Sequence, residues 1–138
     1  MLIFKADVAL TPHPAGARLL GSLERVARTW PFDIEITSGS EQFALHGPEN
    51  PHTRGYAFDL RSHGFTAEQK AAFVGAVLMD LREDDEEDAP QDVDSGDPHA
   101  QGSATRYWYM QVENIGTPSE HFHCQLRKGV TWPERLDV

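Results

Sequence analysis

Two short stretches of this chain alternate between apolar and polar residues, and their polar members are of the kind that bind metal ions. In Tyr56-Ala57-Phe58-Asp59-Leu60, an extended backbone puts Tyr56, Phe58 and Leu60 on one side and Asp59 with Ala57 on the other. In His121-Phe122-His123-Cys124-Gln125-Leu126, His121 and His123 point one way while Phe122, Cys124 and Leu126 point the other. The apolar sides ask for a covering layer of helices. The polar sides then form the floor of a cleft.

The helices are legible. Pro14 to Trp30 predicts the first, with Pro14 suited to the first turn and Leu19, Leu20, Leu23, Val26, Ala27 and Trp30 on one face. Pro31 stops it. Phe32, Ile34 and Ile36 then alternate with Asp33, Glu35 and Thr37 as a half-buried strand. Ser38 to Arg54, rich in Gly, Ser, Pro, Asn and His, reads as a loop. Thr66 with Gln69 forms a capping box for a second helix, whose stripe is Phe73, Val77, Leu78 and Leu81. Tyr107 to Glu113 and His121 to Arg127 read as two strands joined by a turn over Asn114 to Ser119, with Trp108, Met110 and Val112 as the buried set. Helices and strands do not alternate regularly. The expectation is therefore an α+β fold, a small, mostly antiparallel sheet with helices packed on one face, in a single domain spanning 1–138.

The net charge of −10 is unevenly spread. Glu83 to Asp97 carries nine of the 22 acidic residues and no basic one, which leaves 13 acidic against 12 basic residues elsewhere. No cationic surface for nucleic acid is expected. Residues 83–105 lack periodicity and read as a mobile acidic loop. No stretch approaches the roughly 18 apolar residues of a membrane helix, and Lys5 and Asp7 interrupt the N-terminus before it could serve as a secretory signal. The chain is thus expected to be cytoplasmic as synthesised, and to need release or association with a phage particle to reach a cell wall. Cys124 is the single cysteine, which excludes an internal disulfide and a cysteine-based zinc cluster. Facing away from the histidines of its strand, it belongs to the core.

Seven histidines in an acidic chain raise the question of a metal site. Asn50-Pro-His52-Thr-Arg-Gly55-Tyr-Ala57-Phe-Asp59 and Glu120-His121-Phe122-His123 stand out. Zinc accepts imidazole nitrogen and carboxylate oxygen, and a catalytic zinc keeps three protein ligands with one position open. Two neutral histidines and one aspartate leave a charge of about +1, which lowers the pKa of a bound water toward roughly 7.

The pattern His-x-x-Gly-x-Ala-x-Asp, followed about sixty residues later by Glu-x-x-His, resembles the zinc D-alanyl-D-alanine carboxypeptidases and dipeptidases. Their group includes phage L-alanyl-D-glutamate endopeptidases, and the Hedgehog signalling domain shares the fold. The resemblance spans Ile34 to Leu126, and Thr37-Ser38-Gly39 is similar to the segment before the first ligand. It implies one Zn2+ held by His52, Asp59 and His123, Glu120 as general base, His121 assisting, and peptidoglycan stem peptides as substrate. Ser38-Gly39-Ser40-Glu41 stands where many relatives carry Ser-Gly-Tyr-Arg, so Arg54 and Arg61 become the candidates for binding substrate. The alternative is a zinc-bearing binding domain of the same fold without turnover. His46 and His63 read as surface histidines of the loops around the site.

Overall fold

A computed structural model describes residues 1–85, 104–130 and 132. Its elements run β1 (Leu2–Phe4), α1 (Pro14–Arg28), β2 (Ile34–Ser38), α2 (Phe43–His46), α3 (Pro51–Arg54), β3 (Ala57–Arg61), α4 (Ala67–Asp85), β4 (Trp108–Glu113) and β5 (His121–Leu126). The five strands form one sheet in the order β1-β2-β3-β5-β4.

The sheet is mixed, which corrects the expectation of a mostly antiparallel one. β2–β3, β3–β5 and β5–β4 pair antiparallel, but β1 runs parallel to β2, with Leu2 opposite Ile34 and Phe4 opposite Ile36. Three apolar residues in a row carry no alternation, so β1 leaves no periodic signal. Its place is fixed by pairing with Ile34 to Ile36.

The alternation of the other strands resolves as their patterns demand. Ile34, Ile36, Phe58, Leu60, Trp108, Met110, Phe122, Cys124 and Leu126 are buried on one face. Leu19, Leu23, Val26 and Ala27 of α1 and Phe73, Val74, Val77, Leu78 and Leu81 of α4 meet them in one apolar core. Val112 is only partly buried at the edge of this set. Phe65, Phe73 and Phe122 pack ring to ring with centroids 4.9 to 5.6 Å apart, in the tilted and edge-on arrangements that aromatic quadrupoles favour.

Helix ends follow local chemistry. Pro14 opens α1, and the imidazole of His13 caps it, Nδ1 accepting from the Ala15 N–H at 3.0 Å. The helix ends two residues before Trp30, at a Thr29 cap. The capping box of α4 closes both ways: Thr66 N–H donates to Gln69 Oε1 at 2.9 Å, and Gln69 N–H to Thr66 Oγ1 at 3.1 Å. α4 continues to Asp85, so the first three residues of the expected 83–105 loop are helical. Residues 86–103 of that loop lie outside the described residues. At its far end Thr105 is buried and exchanges hydrogen bonds with Trp108, closing the turn into β4.

An ion pair and a close backbone approach tie α1 to its neighbours. Arg25 donates from Nε and Nη2 to the Asp80 carboxylate at 3.0 and 2.7 Å. Burial alone would raise the Asp80 carboxyl, but hydrogen bonds from Arg25 and Ser22 and the charges of Arg25 and Arg18 bring it below its usual value. At Gly16, α1 touches the end of α3: a Cβ there would lie 1.8 Å from the carbonyl oxygen of Gly55.

Gly16→Ala must therefore push α1 from α3, and a loss of about 1–3 kcal/mol is expected in urea unfolding. An unchanged midpoint would show that the contact yields freely. For Asp80, a depressed folded pKa adds stability above the unfolded value of about 3.9, and that stability is lost as pH falls through the folded value. Asp80→Asn should therefore cost about 1 kcal/mol or less at pH 7, with the gap to the parent closing below pH ~4. A gap that stays constant to pH ~3 would count against the ion pair.

Candidate metal centre

The face opposite the core carries the chemistry. β3 and β5 pair so that Asp59 lies directly across from His123, and Arg61 across from His121. β4 adds Gln111 opposite His123 and Glu113 opposite His121. His52 comes from outside the sheet, on α3.

α3 corrects the expectation of an irregular loop through Arg54, and its signals stand in the sequence. Asn50 caps it by accepting from the His52 N–H at 2.9 Å, Pro51 fills the first turn, and Gly55 ends it at φ 97°. A Cβ on Gly55 would sit 2.1 Å from the Thr11 carbonyl oxygen, so both conformation and space demand glycine. One helical turn thus presents a buried His52 to the sheet.

His52, Asp59 and His123 each offer a ligand atom, all within 4.8 Å of one another. Asp59 Oδ1 is the meeting point, 2.8 Å from His123 Nδ1, 3.5 Å from His52 Nε2 and 3.7 Å from His121 Nε2. The far nitrogens of the two outer ligands are engaged behind. His52 Nδ1 lies 3.1 Å from the carbonyl oxygen of Gly39, which can only accept, so Nδ1 carries a proton and Nε2 is the nitrogen turned toward Asp59. His123 Nε2 lies 2.7 Å from Gln125 Oε1, which leaves Nδ1 facing Asp59. Two imidazole nitrogens and a carboxylate oxygen thus converge in a largely buried place, an arrangement that could hold a metal ion in place of the protons between them. Nitrogen, oxygen and nitrogen donors backed by hydrogen bonds are a set that could hold a divalent metal ion.

The electrostatics agree with that focus. Burial pushes the Asp59 carboxyl up, but hydrogen bonds and charge from His123 and His52 outweigh it and hold it well below the usual carboxylate range. His123 is disfavoured as a cation by burial, yet Asp59 raises its pKa on balance. His121 is raised to about 9, chiefly by Glu113, whose Oε1 lies 3.0 Å from His121 Nε2. With His121 Nδ1 2.8 Å from the Ser119 carbonyl, both ring nitrogens donate and the ring is an imidazolium. Gln111 steadies the other Glu113 oxygen at 2.8 Å. Burial pushes the Cys124 thiol far up, as befits a core residue.

Glu120 stands elsewhere. Its Oε2 takes hydrogen bonds from Ser62 at 2.6 Å and from Lys70 of α4 at 2.7 Å, and Lys70 above all holds its carboxyl down to about 2. Strand alternation sends position 120 to the helix side, with Phe122, and the turn before β5 does not reverse it. Glu113 is instead the carboxylate beside His121. Sequence reading passed over it because its significance lies in the β4–β5 register. Gln125 was missed for a different reason: it shares the face of β5 with His123, but nothing in its residue type marks the side-chain contact between them.

Arg54 pairs with Glu49 at 2.6 Å, whereas Arg61 shares the ligand face and is 60% exposed, 3.9 Å from Glu35. His46 is exposed but stacks on His52, ring centroids 5.6 Å apart, and His63 is exposed near the Pro118 carbonyl. A cleft of about 690 Å³, bordered by Tyr56, Tyr109, Gln125, Arg127 and Lys128, opens beside His123, whose ring lies 5.7 Å from that of Tyr109. Among the described residues no helix is long and apolar enough to cross a membrane.

Elemental analysis of purified protein should find about one equivalent of a divalent metal. His52→Ala, Asp59→Ala and His123→Ala should each lose most of it, while His121→Ala should keep it. Full retention by His123→Ala would remove that residue from the ligand set.

Compared with protein-family models, curated proteins and solved structures, the chain matches none of them.

Proposed function

We propose that this chain is a zinc-dependent peptidase of the Hedgehog/DD-peptidase type that hydrolyses peptide bonds in peptidoglycan stem peptides. The observation that supports it is the convergence of His52, Asp59 and His123 on one face of the sheet, with ligand atoms within 4.8 Å. These are the residues that the two motifs single out. A zinc ion held by them would supply Lewis acidity toward a peptide carbonyl.

The chain's own residues do the rest. His121 keeps a proton at Nε2 at the edge of the centre, positioned to stabilise charge on the carbonyl oxygen or to protonate a leaving amine. Glu113 holds that ring in place. Arg61, exposed and loosely paired on the same face, is the better candidate of the two arginines for a substrate carboxylate. Glu120 is the general base that the resemblance implies, and that role requires it to leave Lys70 and Ser62. The bond between Glu120 and Lys70 also favours a second reading, a zinc-bearing binding domain without turnover.

The two readings separate on purified peptidoglycan and a D-Ala-D-Ala-ended peptide, with the released fragments identified by mass spectrometry. The zinc-loaded parent should release stem-peptide fragments. Glu120→Gln and His121→Ala should each slow this by about two to four orders of magnitude while keeping their zinc. A zinc-loaded parent that releases nothing points to the binding domain. Full activity in Glu120→Gln would remove Glu120 as base, and Glu113→Gln would then test its neighbour.

A further inference from the structure

His123 has two ring nitrogens, and something must decide which one faces the centre. Gln125, two residues on and on the same strand face, is 7% exposed. Its side-chain amide donates from Nε2 to the Leu126 carbonyl at 2.8 Å. A carbonyl can only accept, so the amide nitrogen must lie there and Oε1 must face His123. Oε1 in turn can only accept, and it sits 2.7 Å from His123 Nε2. Nε2 therefore carries a proton, and Nδ1, whose N–H donates to Asp59 Oδ1 at 2.8 Å, is the nitrogen left to bind a metal in place of that proton.

We propose that Gln125 is a positioning residue of the metal centre, which commits His123 to bind through Nδ1. This rests on the metal reading of His52, Asp59 and His123. With a metal bound, the two histidines would be opposite tautomers. His52, with Nδ1 given to the Gly39 carbonyl, binds through Nε2; His123, with Nε2 given to Gln125, binds through Nδ1. The two supports differ in kind. Gly39 offers a backbone oxygen that no substitution removes, whereas Gln125 offers a side chain that can be changed. Removing its acceptor frees His123 to rotate or to take the other tautomer, and withdraws the hydrogen bond that makes Nδ1 more basic.

The test uses Zn2+ alone and needs no turnover. Competition with a chromophoric chelator should show Gln125→Leu binding Zn2+ about 10–100-fold more weakly than the parent. Gln125→Glu, which keeps an acceptor at this position, should recover most of the loss. Long-range 1H–15N spectra of the parent with one equivalent of Zn2+ should place the His123 proton on Nε2 and the His52 proton on Nδ1. That measurement decides the matter even if Gln125→Leu does not fold. A His123 proton on Nδ1, or a folded Gln125→Leu that binds Zn2+ as tightly as the parent, overturns the role of Gln125 and leaves the metal site standing. A parent that takes up no Zn2+ overturns both.

Discussion

One carboxylate oxygen organises this molecule's polar face. Asp59 Oδ1 is approached by three imidazoles, two from the neighbouring strand β5 and one from a single helical turn. Charge that is largely shielded from water is stabilised by pairing, since a fully buried isolated carboxylate would carry a penalty of several kcal/mol. The pairing requires β3 and β5 in one register, because a slip of one residue would send Asp59 into the core and Phe58 into the cleft. The apolar face enforces that register. Phe58, Leu60, Phe122 and Cys124 are buried against α1 and α4, so the energy of the core holds the geometry of the site.

The division of labour is uneven. Two of the three candidate ligands ride on adjacent strands of a sheet whose other face is packed. The third, His52, depends on a four-residue helix that could not persist in isolation. Its order comes from Asn50, Pro51 and Gly55 within the turn, and from Thr11, Gly16 and Gly39 around it.

What the sequence made legible follows from the range of the signals. Period-two alternation placed Asp59, His121 and His123 on one face, and the Thr66–Gln69 box placed the start of α4; both are local patterns. The strand β1 was hidden because three apolar residues carry no period, and with it went the parallel pairing that makes the sheet mixed. The helical turn at Pro51–Arg54 was legible in retrospect, from Asn-Pro at its start and Gly at its end, but glycine and proline density spoke more loudly for a loop. Glu113 and Gln125 could not be read at all. Each owes its place to a neighbour across a strand pair or to an imidazole two residues away. Glu120 shows the reverse case, in which a motif assigns a role and strand geometry turns the side chain toward Lys70 instead.

The close contact of Gly16 with Gly55 has a consequence for how this scaffold can change. Two backbones meet there with no side chain between them, so the distance from the first helix to the turn bearing His52 is set by atoms common to every residue. That side of the centre behaves as a fixed gauge. Beyond Gln125, the cleft beside His123 is bounded by Tyr109 and the chain after Leu126, where side chains line open space. Substitutions can accumulate along that wall without disturbing the spacing of the candidate ligands, so the shape of the cleft is free to drift there while the turn bearing His52 is held in place by backbone.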